Sequence, residues 1–223
     1  HMAKATRMIT EYIKKVDVVI ELLDARIPRS SANPVITELV GQKPHIVLLN
    51  KVDLADPKAT KEWTEFFTKQ GITVLAIDSK SGKGNKKLIS TVERLSKPII
   101  DRWVAKGIRS RSVRTIILGI PNVGKSTLIN SLAGSAATRT ANKAGHTRGQ
   151  QWVKIGKNLE LLDTPGVLWP KLEDQRAAAR LAMTGAVSDD VYDLEHVMKQ
   201  LLNHLLTNIP NILVERYKLK EEE

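Results

Sequence analysis

A glycine-rich octapeptide at residues 119–126, Gly-Ile-Pro-Asn-Val-Gly-Lys-Ser, constrains the fold of this chain more than any other feature. A β-branched apolar run precedes it, and a segment with helical spacing follows it. Glycines let such a turn wrap closely around phosphates, so that backbone N–H groups and the helix N-terminus face the anion. The sequence therefore predicts a phosphate-binding loop, in which Lys125 reaches the outer phosphates and Ser126 binds magnesium. The residues predicted to line it are Asn122, Val123, Gly124, Lys125, Ser126 and Thr127.

The rest of the chain alternates between strand and helix patterns. Apolar runs predict strands at 16–24, 45–49, 73–77, 113–118, 151–155 and 158–162. Helical spacing occurs at 57–70, 85–97, 125–133, 173–184 and 189–207. Pro98 is expected to end the second of these helices, and Gly156–Lys157 to turn a hairpin. The pattern predicts an α/β fold with a mostly parallel six-stranded sheet flanked by helices.

Three further motifs stand where predicted strands end. Asp163-Thr164-Pro165-Gly166 offers a carboxylate for magnesium, usually through water, and the Gly166 N–H for a γ-phosphate. Asn50-Lys51-Val52-Asp53 offers the Asp53 carboxylate, which can accept hydrogen bonds from N1–H and the 2-amino group of guanine. In Asp78-Ser79-Lys80 the backbone N–H of Ser79 is expected to meet guanine O6.

The order of these motifs is informative. In Ras-like GTPases the phosphate loop comes first and the guanine motifs come last, whereas here residues 50–53 and 78–80 precede 119–126. The same sheet forms if the original termini are joined and the chain is opened elsewhere, because the termini of a domain often lie close together. The sequence therefore predicts a Ras-like P-loop domain in circularly permuted order. The new opening follows the strand that ends at Asp163.

The chain resembles the circularly permuted GTPases of the YlqF/RbgA family across essentially its whole length. The segments that carry the resemblance are HMAKA at 1–5, DARIP at 24–28, SSANP at 30–34, LLNKVD at 48–53, GIPNVGKSTLIN at 119–130, QQWVK at 150–154 and LLDTPGVLWPK at 161–171. The resemblance implies GTP hydrolysis in a late step of large-ribosomal-subunit assembly. It also implies further residues before His1 and a C-terminal helical domain. We expect a GTPase domain at 1–185 and a helical segment, the start of that domain, at 186–223.

The resemblance also suggests residues for hydrolysis. Val167 occupies the place where Ras-like enzymes have a water-orienting glutamine, and it has no polar atom to serve. The resemblance implies that His1 acts instead, once a ribosomal partner orders the N-terminus. Thr147 is the candidate switch threonine for magnesium and γ-phosphate. Asn122 is the candidate ligand for a potassium ion, although it could simply form the turn.

Net charge and composition limit the kinds of partner that the protein can bind. The formal net charge is +11, and aromatic residues make up only 4% of the chain. A basic protein of this kind either gains solubility from its charge or binds a polyanion, and we expect RNA, contacted through its phosphates rather than by stacking. Cysteine is absent, which excludes cysteine-ligated zinc. No sequence run has the length or apolar character of a membrane span or signal peptide, so we expect a cytoplasmic protein. We also expect the protein to be a monomer.

Three functions remain open from the sequence. The first is a switch that binds GTP and GDP, hydrolyses GTP, and acts on the precursor of the large ribosomal subunit and its rRNA. The second is a potassium-activated GTPase that acts on tRNA or at a membrane. The third is an RNA-binding assembly factor for which GTP is only a structural ligand.

The assignment of Asp53 can be tested through the choice of base. In an Asp53→Asn variant an amide donor partly replaces the acceptor that faces the donors of guanine. We expect weaker GTP binding and a gain for xanthosine nucleotides, measured by titration with fluorescent nucleotides. Unchanged GTP affinity would remove Asp53 from the site.

Overall fold

Parallel strands build the sheet on which the predicted motifs stand. The computed structural model describes residues 2–135, 151–164 and 174–220, which fall into two compact units, His1–Lys171 and Leu172–Glu223. The strands of the first unit are β1 (Val18–Asp24), β2 (His45–Asn50), β3 (Thr73–Ala76), β4 (Val113–Gly119), β5 (Gln151–Ile155) and β6 (Leu159–Asp163). In the described residues they form one six-stranded sheet in the order β3-β2-β1-β4-β6-β5. Neighbouring strands are parallel except for the β5–β6 hairpin. The predicted α/β fold and permuted strand order are confirmed.

The centre of the sheet is the most deeply buried part of the first unit. Every residue of β1 is buried, as expected for a parallel strand covered on both faces. Helix α1 (Met2–Lys14) packs Ile9 and Ile13 against this core, together with Ile36 of α3 (Pro34–Val40). Helix α4 (Pro57–Lys69) packs Phe67 against the neighbouring strands. Burial on both faces holds the central strands, and therefore the loops at their ends, in a fixed register.

Three helices near the N-terminus were not predicted. They are α1, the four-residue α2 (Pro28–Ser31) and α3. A signal for α3 was present, because Pro34 stands at the first turn and the Asn33 side chain accepts a hydrogen bond from the Val35 N–H. Helix α1 has an apolar pair at Ile9 and Ile13 with helical i,i+4 spacing, and its packing on the sheet buries both.

The prediction that Pro98 ends its helix was wrong. Helix α5 runs through the proline, from Asn85 to Ala105, so residues 99–105 are helical as well. A proline in a helix interior removes one hydrogen bond, and here the helix instead ends where glycine provides a left-handed cap. Gly107 has a φ of 66° and its N–H bonds to Val104 O at 3.0 Å, while the Ile108 N–H bonds to Trp103 O at 2.9 Å.

The second unit is helical, and the bounds of its helices differ from the predicted ones. Its helices are α7 (Gln175–Met183), α8 (Leu194–Asn208) and α9 (Pro210–Tyr217), and α6 (Lys125–Ser135) belongs to the first unit. Helix α8 begins at Leu194 rather than at 189, because the Asp193 side chain caps it by accepting from the His196 N–H. Helix α7 contacts α8 and belongs to the second unit. The domain boundary at 185 stays a prediction. In residues 2–135, 151–164 and 174–220, no helix is long and apolar enough to span a membrane.

Candidate guanine-nucleotide site

The predicted site residues gather at one edge of the sheet. Asp24, Asn50, Gly119 and Asp163 are the last residues of β1, β2, β4 and β6, which are parallel to one another. The carboxyl ends of parallel strands meet at the same edge, and that edge is where ligands bind in sheets of this kind. The loops that follow these strands, together with the loop after β3, therefore lie next to each other.

Asn50 joins three of these loops. Its side chain is buried, with 1% of the residue exposed, and its amide donates to Val123 O in the phosphate loop at 2.9 Å. Its Oδ1 accepts from the backbone N–H of Ser79 at 3.0 Å. One buried amide thus ties the end of β2 both to the phosphate loop and to the loop after β3. The predicted contact from the Ser79 N–H to guanine O6 stays a prediction, and it would have to share or replace the hydrogen bond to Asn50 Oδ1.

Lys51 lies across the same junction. It adopts a left-handed backbone conformation with a φ of 61°, and its Nζ donates to Asn122 O at 2.8 Å. Val52 and Asp53 follow in a short 3₁₀ helix (Val52–Leu54), where the Asp53 side chain is exposed. The stem of Lys51 is therefore held between the guanine loop and the phosphate loop, while the Asp53 carboxylate remains open to a ligand.

Asp24 is a member of this edge that the sequence reasoning did not assign to the site. It is buried at the end of β1, and its carboxylate accepts from the Arg26 guanidinium at 3.0 Å and 2.7 Å. The Lys51 ammonium lies 3.8 Å from its Oδ2. The hydrogen bond to Asp24 raises the pKa of Arg26, and the negative charge of Asp53 acts in the same direction. The available signal was its position, since a polar residue ends this buried strand as it does in the assigned motifs.

The backbone of the phosphate loop needs its glycines. A Cβ at Gly119 would lie 2.9 Å from Val123 Cγ1 and 3.1 Å from Leu22 O, both in tightly packed surroundings. Gly124 has a φ of 103°, and a Cβ there would collide with the Asn50 side-chain amide. Asn122 has a positive φ as well, at 59°. The loop therefore reaches its shape only with small or left-handed residues at these places.

The phosphate end of the site combines a buried ammonium with a carboxylate. Lys125 is the first residue of α6 and is 8% exposed, with its Nζ 3.9 Å from Asp163 Oδ1. Burial lowers the pKa of the Lys125 ammonium, and Asp163 opposes that shift. Ser126 and Thr127 follow with exposed side chains. A hydroxyl and a carboxylate are ligand types that suit magnesium, which is usually held by few protein ligands plus substrate phosphates. In the described residues, no group of three or more His, Asp or Glu side chains is placed to hold a metal.

The loop after β3 is held by Asp78. Its Oδ1 accepts from the N–H groups of Lys80 at 3.1 Å and Ser81 at 3.4 Å. The hydrogen bond from the Ser81 side chain is the main cause that lowers the pKa of Asp78. An aspartate where GTPases commonly have serine therefore still organises the turn that presents Ser79 and Lys80.

Three predicted site residues lie outside the described residues. They are His1, Thr147 and Gly166, and Val167 lies outside them too. The other predicted residues stand together at the carboxyl edge of the sheet, in the loops joined by Asn50. Fold and site together define a P-loop GTPase whose guanine loops precede its phosphate loop in the chain.

Comparison with known proteins gives the family. A family model described as "50S ribosome-binding GTPase" matches residues 114–216. Ribosome biogenesis GTPase A of Priestia megaterium is 50% identical over 222 residues, which cover 99% of this chain and 77% of the relative. The chain also matches the solved structure of GNP-bound YlqF from Thermotoga maritima, with a TM-score of 0.70 and 29% identity over 98% of this chain and 86% of that one. The chain belongs to the ribosome biogenesis GTPase A family, a family of GTP hydrolases that generally use Mg²⁺.

The role of Asn50 can be tested by removing its amide. An Asn50→Ala variant leaves the buried Val123 O and Ser79 N–H without their partner, so we expect GDP binding to weaken roughly 10–100-fold, in line with the cost of unsatisfied buried groups. Titration with fluorescent GDP measures this change, and Asn203→Ala on the exposed side of α8 is the control. Equal affinity in the two variants would show that the loops do not depend on this residue.

Proposed function

We propose that this protein is a GTP-hydrolysing switch in late assembly of the large ribosomal subunit. It binds the subunit precursor with GTP, and hydrolysis to GDP and phosphate releases it. The nucleotide part of the proposal is carried by one observation, the buried Asn50 that ties the phosphate loop to both guanine loops. The ribosomal part is supported by a relative that is 50% identical over 99% of this chain and is named ribosome biogenesis GTPase A.

The residues at the phosphate end have different roles in hydrolysis. Lys125 places a positive charge where charge develops on the γ-phosphate, and its position at the start of α6 adds backbone N–H groups that point at the phosphates. Ser126, Thr147 and Asp163 are the residues that would hold magnesium, which when bound neutralises phosphate charge. Partial burial strengthens these electrostatic interactions, because less water screens them.

The attacking water needs a group to orient it, and the proposal gives that role to His1. Val167 follows Gly166 in the sequence and offers no polar atom. An imidazole can hold the water and accept its proton, which is the usual contribution of a histidine to such a step. Ordering of the N-terminus on the ribosomal subunit would then couple hydrolysis to correct docking.

Asn122 is proposed to hold a potassium ion. It lies exposed in the phosphate loop with a positive φ, and its backbone oxygen already accepts from Lys51. A cation beside the phosphates there would add the charge that an arginine finger supplies in other GTPases. Thr147 and Gly166 are proposed to respond to the γ-phosphate as the switch.

The remaining features of the proposal concern partners and place. We propose that the protein acts as a cytoplasmic monomer and that it contacts the rRNA of the large subunit, consistent with its net charge of +11. The proposed GTPase domain at 1–185 is followed by the helical segment at 186–223. The end of β6 at Asp163 and the start of the second unit at Leu172 are close in the chain, so the helical unit can report on the nucleotide.

Turnover with and without ribosomal subunits tests the proposal. Because Val167 offers no water-orienting atom, we expect slow GTP hydrolysis by the isolated protein and a marked acceleration by purified large subunits. Potassium should give a faster rate than sodium if Asn122 holds the ion. Phosphate release measured with large subunits, small subunits and tRNA separates the outcomes. Stimulation by tRNA alone, or no hydrolysis under any condition, would contradict the switch in subunit assembly.

A His1→Ala variant tests the catalytic group. In a chain that carries the residues its relatives have before this histidine, we expect normal GTP affinity and a stimulated rate lowered by roughly 10²–10⁴-fold, the usual contribution of general acid–base groups. His204→Ala, on the exposed side of α8, is the matched control. Full subunit-stimulated turnover in the His1 variant would place the catalytic group elsewhere.

A further inference from the structure

The net charge of the chain is unevenly distributed. The first unit, His1–Lys171, has 29 Lys and Arg against 14 Asp and Glu, a net charge of +15. The second unit, Leu172–Glu223, has 6 against 10, a net charge of −4. A charge spread only for solubility has no reason to concentrate in one unit, so a particular surface of the first unit is implicated.

Most of the excess of positive charge in the first unit lies in one segment. Residues 80–114 contain 11 Lys and Arg but only two acidic residues, Glu93 and Asp101. This segment contains α5, whose 21 residues extend about 30 Å. Helix α4 is a useful contrast, because Lys58, Lys61 and Lys69 there alternate with Glu62 and Glu65. The excess of positive charge on α5 and its flanks is therefore not shared by α4.

Four of the five positive side chains of α5 lie on one exposed face, and Glu93 and Asp101 lie on the same face. Lys86, Lys87, Arg94 and Lys97 are exposed, whereas Leu88, Val92 and Ser96 on the other side of the helix are buried. In the part of the chain that the structure describes, Lys86, Lys87 and Arg94 form no ion pair, while Lys97 pairs with Asp101 at 3.0 Å. We call the exposed side of α5 that carries Lys86, Lys87, Arg94 and Lys97 the α5 basic face.

The same face lacks the features of a protein-docking surface. Among the described residues, no large apolar side chain is exposed between Lys83 and Lys97. Protein interfaces are organised around buried apolar or aromatic anchors, whereas nucleic-acid interfaces are polar and strongly positive. Trp103, farther along α5, lies beneath the Arg111 guanidinium at 4.6 Å and is not free to stack on a base. The chemistry therefore fits phosphates rather than bases or an acidic peptide.

The α5 basic face begins beside the candidate guanine-nucleotide site. The loop that Asn50 holds through Ser79 leads directly into α5, and Asn85 at the start of α5 donates to Ser131 of α6 at 2.7 Å. Helix α6 also carries Lys125 at its first position. A polyanion on this face would therefore rest on a helix anchored to both the guanine loop and the phosphate-loop helix.

We propose that the α5 basic face binds the phosphate backbone of double-helical rRNA in the large ribosomal subunit. This inference rests on the proposed function for the identity of the RNA. The contacts are to phosphates, so binding should depend on duplex geometry and salt, with little preference for base sequence.

Charge reversal on two helices tests the inference. A triple variant with Lys86→Glu, Lys87→Glu and Arg94→Glu is compared with Lys58→Glu, Lys61→Glu and Lys69→Glu on α4, which changes the net charge equally. Binding to isolated large subunits and to protein-free large-subunit rRNA is measured by co-sedimentation, with a non-hydrolysable GTP analogue, over a salt titration. Intrinsic GTP turnover and thermal stability are measured for both variants to show that each is folded.

We expect the α5 variant to bind both the subunits and the rRNA at least roughly tenfold more weakly than the wild type near physiological salt. Its plot of log affinity against log salt should be shallower by about 2 to 3, close to one for each lost phosphate contact. The α4 variant should stay near the wild type. Equal behaviour of the two variants would overturn the inference, as would loss of subunit binding with full rRNA binding, which would indicate a ribosomal protein. A wild type that binds rRNA but not subunits would instead count against the proposed function.

Discussion

The hydrogen bonds of Asn50 hold together the loops at the carboxyl edge of the sheet. The residue is buried at the end of β2, where its amide donates to Val123 O and accepts from the Ser79 N–H. Each partner lies in a different loop, and the residues concerned are far apart in the chain. A buried amide with partners on both sides stabilises one relative arrangement of the loops, because any other arrangement leaves polar groups without partners in a dry environment. Gly124 has no side chain, and any Cβ there would collide with this amide.

Around that amide, charged groups are arranged in two places. Asp24, Arg26 and Lys51 form a connected group at the guanine end, and Asp24 is buried beneath the other two. Lys125 and Asp163 form the second group at the phosphate end, 3.9 Å apart. The first group adjoins the loop that is predicted to select the base, and the second lies at the start of the helix that follows the phosphate loop.

Circular permutation changes what this edge is connected to. The strand that ends at Asp163 leads within eight residues to the second unit, which starts at Leu172. In the unpermuted order that strand would lead back into the sheet. Here the segment after Asp163 joins the carboxylate at the phosphate end directly to a helical unit of opposite net charge. Circular permutation thus makes the second unit the next part of the chain after the phosphate end of the site.

The sequence by itself determined the strands, the parallel sheet and the permuted order of the motifs. The short apolar runs and the glycine pattern at 119–126 are local signals, so they can be read without knowing the rest of the fold. The sequence was a less reliable guide to where helices begin and end. Pro98 predicts a stop that burial of one face of α5 overrides, and α1 was missed because its helical character depends on packing Ile9 and Ile13 against the sheet.

Only the tertiary structure decided which polar residues act together. The sequence placed Asn50 and Asp53 in one motif, but only the structure shows that buried Asn50 bonds to Val123 O and the Ser79 N–H while Asp53 stays exposed. The sequence reasoning did not assign Asp24 to the site. Its carboxylate comes within 3.8 Å of the Lys51 ammonium only because β1 and β2 lie side by side. The physical reason is that hydrogen bonds and ion pairs between distant segments depend on strand order and register. These are set by burial of the whole sheet and leave no trace in local spacing.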